Sequence, residues 1–272
     1  MMSHIHHLSV VALAASLAAG ASANAFDHGY PAYAALLERH VRPPRVDYRA
    51  LKANRDSLDR VVAEFASPAT REEPKWTRER RMAFWINAYN AFTLRAVVDH
   101  YPIQSRWLTL HPRNSIRQID GVWTDLKWMA AGRPVTLDEI EHRILRPTFR
   151  DARIHFAVNC ASISCPPLVA QPYLPDTLDA QLDEAARGYL RSQEGRRIEG
   201  NTLRISSIFN WYAEDFIAKF SRLAPGGGDA KERAVLGTVI AYGPPAAAEL
   251  VRSGRARVAF IDYNWALNDA DD

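Results

Sequence analysis

The chain has 272 residues, 34 Lys and Arg against 31 Asp and Glu, a formal net charge of +3 and two cysteines. That length buries a core without disulfides. The charge is spread without a basic run of five, which argues against a nucleic-acid groove, and Arg78, Arg80 and Arg81 fit a solvated helix face.

The first 25 residues hold no Lys, Arg, Asp or Glu, and Leu8 to Ala21 is an apolar run of signal-peptide length. Ala23-Asn24-Ala25 fits the small-x-small rule, so cleavage after Ala25 is expected, with a chain beginning Phe26-Asp27. His4, His6 and His7 stand where Lys or Arg is usual. No later apolar run approaches the length of a membrane span. The expected location is the periplasm or outside the cell, with no span after signal cleavage. The division is 1–25 signal peptide, 26–268 single globular domain and 269–272 acidic tail.

Helical spacing predicts a first helix over Tyr30 to His40 and a second from about Tyr48 to Phe65. A third, from Thr77 to before Pro102, is apolar almost all round, as in the buried centre of a domain. Thr136-Leu-Asp-Glu139 is a capping box opening a helix that Pro147 ends near Leu145. Arg153 to Asn159 alternates and reads as a strand. A helix over Thr177 to Gln193 and a short strand over Thr202 to Ile205 follow. Ser206-Ser207 caps an aromatic-rich helix through Phe220. Pro225 to Gly228 is a flexible loop. Helices over Lys231 to Tyr242 and from Pro244-Pro245 precede a last strand over Arg257 to Tyr263. The fold class is α+β: a predominantly helical single domain with a small antiparallel sheet.

Chemistry-bearing residues are densest at Glu141-His142, His155 and Asn159-Cys160-Ala-Ser-Ile-Ser-Cys165. A thiol nucleophile needs a group that keeps it ionised and donors for a developing oxyanion. On a straight strand His155 and Cys160 lie about 15 Å apart. Cys165 folding back through the Ala161–Ser164 loop, or His142 acting as base, are therefore alternatives. The two cysteines also suit a disulfide stapling a loop. A zinc site is disfavoured: C-x4-C matches no common spacing, and Glu141 and His142 diverge by about 100° on an α-helix. No metal and no cofactor is expected. Asn87 and Asn90, three apart on an apolar helix, must find polar partners, either loop backbone or an oxyanion or base. Trp107, Trp123, Trp128, Trp211, Tyr212 and Trp265 read as packing residues rather than a sugar or peptide groove. Asp138/Glu139 and Glu214/Asp215 read as caps and solvated charges.

Five stretches together resemble the bacterial branch of domain-of-unknown-function family 547. They are Phe84-Trp-Ile-Asn-Ala-Tyr-Asn-Ala91, Ile140-Glu-His-Arg-Ile-Leu-Arg146, Arg153 through Leu168, Ile208-Phe-Asn-Trp-Tyr-Ala-Glu-Asp-Phe216 and Ile261-Asp-Tyr-Asn-Trp-Ala-Leu-Asn268. They cover most of the chain from about Trp76 to Asn268. The resemblance implies export in bacteria and no agreed activity. Its motifs hold Asn87, Asn90, Glu141, His155, Cys160 and Cys165, which points to a site where they meet.

The leading expectation is a thiol-dependent hydrolase or acyltransferase acting on peptide or amide bonds in the cell envelope. Cys160 is its nucleophile (Cys165 the second choice), His155 the base, Glu141 its orienter, and Asn87 or Asn90 a polarising amide. The alternatives are a non-catalytic binding or assembly module with a structural disulfide, and a thiol–disulfide redox protein. The expected partner is an envelope substrate or protein of unknown identity, not nucleic acid.

Overall fold

The computed structural model describes residues 25–104, 109–226 and 229–271. The signal-peptide reading, Trp107, the last two glycines of the 225–228 loop and Asp272 lie outside them.

Helix α1 (Pro31–His40) packs on α2 (Tyr48–Ala53) and α3 (Arg55–Phe65), and these two pack on α4 (Arg78–His100). The predicted second helix is two, broken at Asn54, whose backbone lies at φ −109°, ψ 38°. Asp47 caps α2 by accepting from the Ala50 N–H at 2.8 Å. Helix α4 begins as expected, with Thr77 Oγ1 accepting from the Arg80 N–H. From Met82 to Leu94 every residue of α4 is buried, which explains why its sequence shows no polar stripe. Its aromatic residues contact Phe26, Phe65, Trp76 and Trp128, with Phe92 stacked on Trp128 at 5.3 Å. Each fully buried side chain of this size contributes roughly 1.5–3 kcal/mol relative to exposure.

Strands are short. β1 (Val41–Arg42) pairs with β2 (Arg45–Val46), and β3 (Trp128–Ala130) with β4 (Arg133–Val135). A three-stranded sheet joins β5 (Arg196–Glu199), β6 (Thr202–Ser206) and β7 (Arg257–Ile261). Its β5–β6 hairpin is antiparallel, and β6 and β7 run parallel. The fold is α+β, and the sheets pair mostly antiparallel. A second apolar cluster sits on the three-stranded sheet. It is built from α6 (Leu178–Arg191), α8 (Ala213–Phe220), α9 (Ala230–Tyr242) and α10 (Pro245–Arg252). Among the described residues no helix is long and apolar enough to cross a membrane.

Three readings are corrected. Arg153 to Asn159 is not a strand: Ala152–Phe156 is a 3₁₀ turn capped by Asp151. Residues 152–159 are all buried, so the apparent alternation of polar and apolar residues marks no solvent face. Pro147 does not end the capping-box helix. The box forms (Thr136 N–H to Glu139 Oε2 at 3.0 Å, Glu139 N–H to Thr136 Oγ1 at 3.1 Å), and Glu139–Leu145 winds as a π-helix. It runs straight into α5 (Arg146–Phe149), where Pro147 sits in the first turn and needs no N–H partner. The acidic tail is not loose. Asp269 is buried, the Ala270 N–H donates to Val46 O, and Asp271 pairs with Arg49 at 2.9 Å.

Candidate functional site

The chain segments that carry the quoted motifs converge on one cavity of about 720 Å³. Glu141, His142 and Arg146 come from the π-helix and α5. His155 comes from the 3₁₀ turn, and Cys160 and Cys165 from the loop that follows. Ile208, Trp211 and Tyr212 come from α7 (Ile208–Trp211) and the residue after it. Tyr263 and Trp265 come from the chain beyond β7. His155 lies in the 3₁₀ turn, and the Ala157 and Val158 N–H groups both fold back onto Ile154 O, so the chain turns where a strand would part His155 from Cys160, and both line the cavity. The π-helix has the same kind of effect. Its wider turn makes successive side chains diverge less than in an α-helix, and both Glu141 and His142 line the cavity.

The cysteine loop is built by two zippers. Asn159 Oδ1 accepts from the Ala161 N–H at 2.9 Å, and Ala161 takes a left-handed φ of 56°. The Ile163 N–H then donates to Ala266 O, and Ser164 exchanges hydrogen bonds with Asn264. This pairing fixes the C-terminal segment so that Tyr263 reaches the sulfur of Cys160.

Both cysteines are free thiols. Their sulfurs are in hydrogen-bond contact at 2.9 Å, and the Cys160 N–H donates to Cys165 Sγ at the same distance. Cys160 Sγ also lies 3.3 Å from Ser162 Oγ and 3.3 Å from Tyr263 Oη. Cys160 is half-buried; Cys165 is buried. The two thiols therefore differ. The Cys165 S–H, and then the Ser162 and Tyr263 hydroxyls, favour the Cys160 thiolate over the opposing effect of burial, and its pKa falls below the ordinary thiol value. Burial, and then the neighbouring Cys160, push the Cys165 thiol well up.

His155 is buried with its ring stacked on Tyr212 (centroids 4.0 Å, 22°). Its Nε2 shares a 2.7 Å hydrogen bond with Asp215 Oδ2, which Arg146 grips by a two-pronged contact at 2.7 and 3.1 Å. Burial opposes ionisation of Asp215, but His155 and Arg146 outweigh it and hold the carboxyl far below its usual range. Glu141 accepts from Tyr89 Oη at 3.2 Å. Burial, and then the Glu141 charge, push the Tyr212 phenol up. His142 Nδ1 accepts from Arg146.

Glu141, His155, Cys160 and Cys165 thus meet in the cavity, while Asn87 and Asn90 do not line it. Asn87 holds the Tyr173 backbone through both its N–H and C=O. Asn90 donates to Ala157 O at 2.9 Å and accepts from the Asn159 N–H at 2.8 Å. Their amides are spent on backbone, so the polarising role is withdrawn. Asn90→Ala is expected to lower unfolding free energy by about 2–3 kcal/mol in urea, because it orphans two buried backbone groups at the root of the cysteine loop. Glu141 is likewise not the partner of His155; Asp215 is. Asp215 is therefore not the solvated charge expected of the Glu214/Asp215 pair, and its place in the fourth motif is the sequence signal for it. Trp123, Trp211, Tyr212 and Trp265 line the cavity rather than only packing, whereas Trp128 does pack. Among the described residues no group of three His, Cys, Asp or Glu is placed to hold a metal ion.

Among known proteins, residues 74–190 match the family described as protein of unknown function, DUF547. No curated protein and no solved structure matches the chain. The matched segment contains Glu141, His155, Cys160 and Cys165, while Asp215, Tyr263 and Trp265 lie beyond it. The match supports, for the segment carrying both thiols, the family that the sequence motifs resemble, DUF547.

Proposed function

We propose that this protein carries out thiol–disulfide exchange through Cys160 and Cys165, outside the cytoplasm. The observation that carries the reading is the direct contact of two unlike thiols at the cavity. One is half-buried and has three hydrogen-bond partners at its sulfur; the other is buried behind it. The Cys160 thiolate attacks a substrate disulfide, forming a mixed disulfide and releasing one substrate thiolate. Cys165 then gives up its proton and attacks Cys160 Sγ. This closes the Cys160–Cys165 bond and releases the second substrate thiolate. Two electrons pass from the dithiol to the substrate, and the reverse order oxidises a substrate dithiol. Export rests on the apolar N-terminal run and the Ala25 cleavage pattern. Phe26, the first residue after that cut, packs against Trp76 and Phe84.

The test is intact-protein mass spectrometry on material from the cell envelope. Incubation with a small organic disulfide is expected to remove two hydrogens, and dithiothreitol to restore them. Thiols that stay reduced, or a mixed disulfide that Cys165 never resolves, would overturn the reading.

The thiol-dependent hydrolase or acyltransferase is a second reading, favoured by the Asp215–His155 pair opening on the same cavity. Against it, the partners of Cys160 Sγ are Cys165, Ser162 and Tyr263 rather than a histidine. An acyl group gained by Cys160 from ester or amide probes in the same spectra would favour it.

A further inference from the structure

A continuous aromatic wall leads away from Cys160. Tyr263, whose hydroxyl touches the sulfur, packs its ring on Trp265 at 4.5 Å and Trp211 at 4.9 Å, and Trp265 meets Trp123 edge-on at 6.2 Å. At the far end the Arg117 guanidinium lies 4.7 Å from the centre of Trp265 and 5.9 Å from that of Trp123.

Arg117 differs from the other charged residues of the cavity in its pairing. Of the other charged groups lining the cavity, Arg146 is gripped by Asp215, Asp138 lies 3.7 Å from His142, and Glu141 accepts from Tyr89. Arg117 donates through Nε to His111 Nε2 at 2.9 Å, and no carboxylate among the described residues lies within ion-pair distance of it. To accept that bond, His111 must be neutral at Nε2. Desolvation, and then the Arg117 charge, lower its pKa in the same sense. Contact with two indoles set at 75° to each other, together with the bond to His111, restrains the guanidinium and lowers the cost of ordering it on binding. Among the described residues nothing accepts from its two terminal nitrogens, and the side chain is exposed, so both can meet an external acceptor. A planar fork held in this way suits a carboxylate, which it can bind by two parallel hydrogen bonds.

We infer that the cavity selects disulfides that combine a flat apolar body with a carboxylate, the anion sitting on Arg117, the body on the Trp265–Tyr263 wall and the disulfide at Cys160. The disulfide part rests on the exchange reaction proposed above; the carboxylate subsite does not. Two aromatic disulfides separate them: 5,5′-dithiobis(2-nitrobenzoate), which carries carboxylates, and neutral 2,2′-dithiodipyridine. For Arg117→Gln the ratio of the anionic to the neutral reaction rate at pH 7 is expected to fall about tenfold, with the neutral rate within about twofold of the parent. Arg117→Lys should recover part of the ratio, and added salt should erode it in the parent and in Arg117→Lys but not in Arg117→Gln. An unchanged ratio in Arg117→Gln overturns the inference. Binding of 4-nitrobenzoate, followed by tryptophan quenching, reads the subsite without thiol chemistry. About tenfold weaker binding in Arg117→Gln supports the subsite even if neither disulfide reacts, a result that would sink the exchange reaction alone. Equal affinity in parent and variant removes the subsite whatever the thiols do.

Discussion

Cys160→Ser is expected to slow thiol labelling of the folded protein at pH 7 by about 100-fold or more, whereas Cys165→Ser leaves the other thiol reactive but less acidic. The asymmetry follows from the two environments. In Cys160→Ser the remaining sulfur is Cys165, buried and with its pKa pushed well above the ordinary thiol value, so little thiolate is present at neutral pH. In Cys165→Ser the cavity thiol keeps Ser162 and Tyr263 but loses the S–H that does most to stabilise its anion. Serine can still donate there, so the midpoint of labelling against pH should rise by less than in Cys165→Ala. Each unit of rise costs about tenfold in thiolate below the midpoint. Rates of iodoacetamide labelling across pH 5–9, with each site resolved by peptide mass, read all three variants. Equal loss in both serine variants would mean that the two sulfurs are equivalent, and the attacking and resolving roles would have to be abandoned.

Much of the helical scaffold was legible in the sequence because its signals are local. Thr77 and Thr136 cap where their spacing predicts, and the apolar residues all round Met82–Leu94 specify a buried axis. The site was legible as a set of residues but not as a set of partnerships. The motifs offer Glu141 as the orienter of His155, yet its partner Asp215 stands 60 residues away and is delivered by the packing of α8. The strand reading at 153–159 failed because full burial leaves no solvent face, and alternation then carries no information about conformation. The π-helical winding at Glu139–Leu145 has no residue signature to read; Pro147 looked like a stop when it is the first turn of the next segment. Tyr263 and Arg117 were missed for a different reason. One depends on the antiparallel pairing of the cysteine loop with residues 264–268, and the other on a single 3₁₀ turn, Ile116–Gln118, too short to show a periodic pattern.

Arg153→Met is expected to cost about 3–5 kcal/mol of stability at neutral pH, and clearly less in acid. The Arg153 side chain is 8% exposed and holds Asp151 at 2.7 Å, Asp183 at 2.6 Å and Asp179 at 2.7 Å. Asp179 is largely solvated and loses little, and Asp183 keeps Tyr242 at 2.8 Å, but Asp151 is nearly as buried as the arginine. Removing the cation strands that carboxylate, the costly way to break a buried pair. For a chain of this size such a loss corresponds to a fall of roughly 10 °C in Tm. The sign with pH is fixed by the same contacts. Burial opposes the charge on Asp151 and Asp183, but Arg153 outweighs it and holds both carboxyls below their ordinary values. Groups depressed on folding add stability that is present above the unfolded carboxylate pKa of about 4 and lost as pH falls through the folded value. Without Arg153 that term disappears, and a stranded Asp151 gains a proton in the folded state more readily than in the unfolded one. The gap between parent and variant should therefore be widest at pH 7 and shrink by half or more at pH 3, as read by urea unfolding at both. A gap independent of pH would mean that Arg153 acts by filling volume rather than by charge. Asp151 also caps the turn that carries His155, accepting from the Arg153 N–H at 3.1 Å. The same ion cluster thus sets the position of the imidazole at the cavity, and a variant weakened there should also lose the ordered His155–Asp215 contact before the α4 core unfolds.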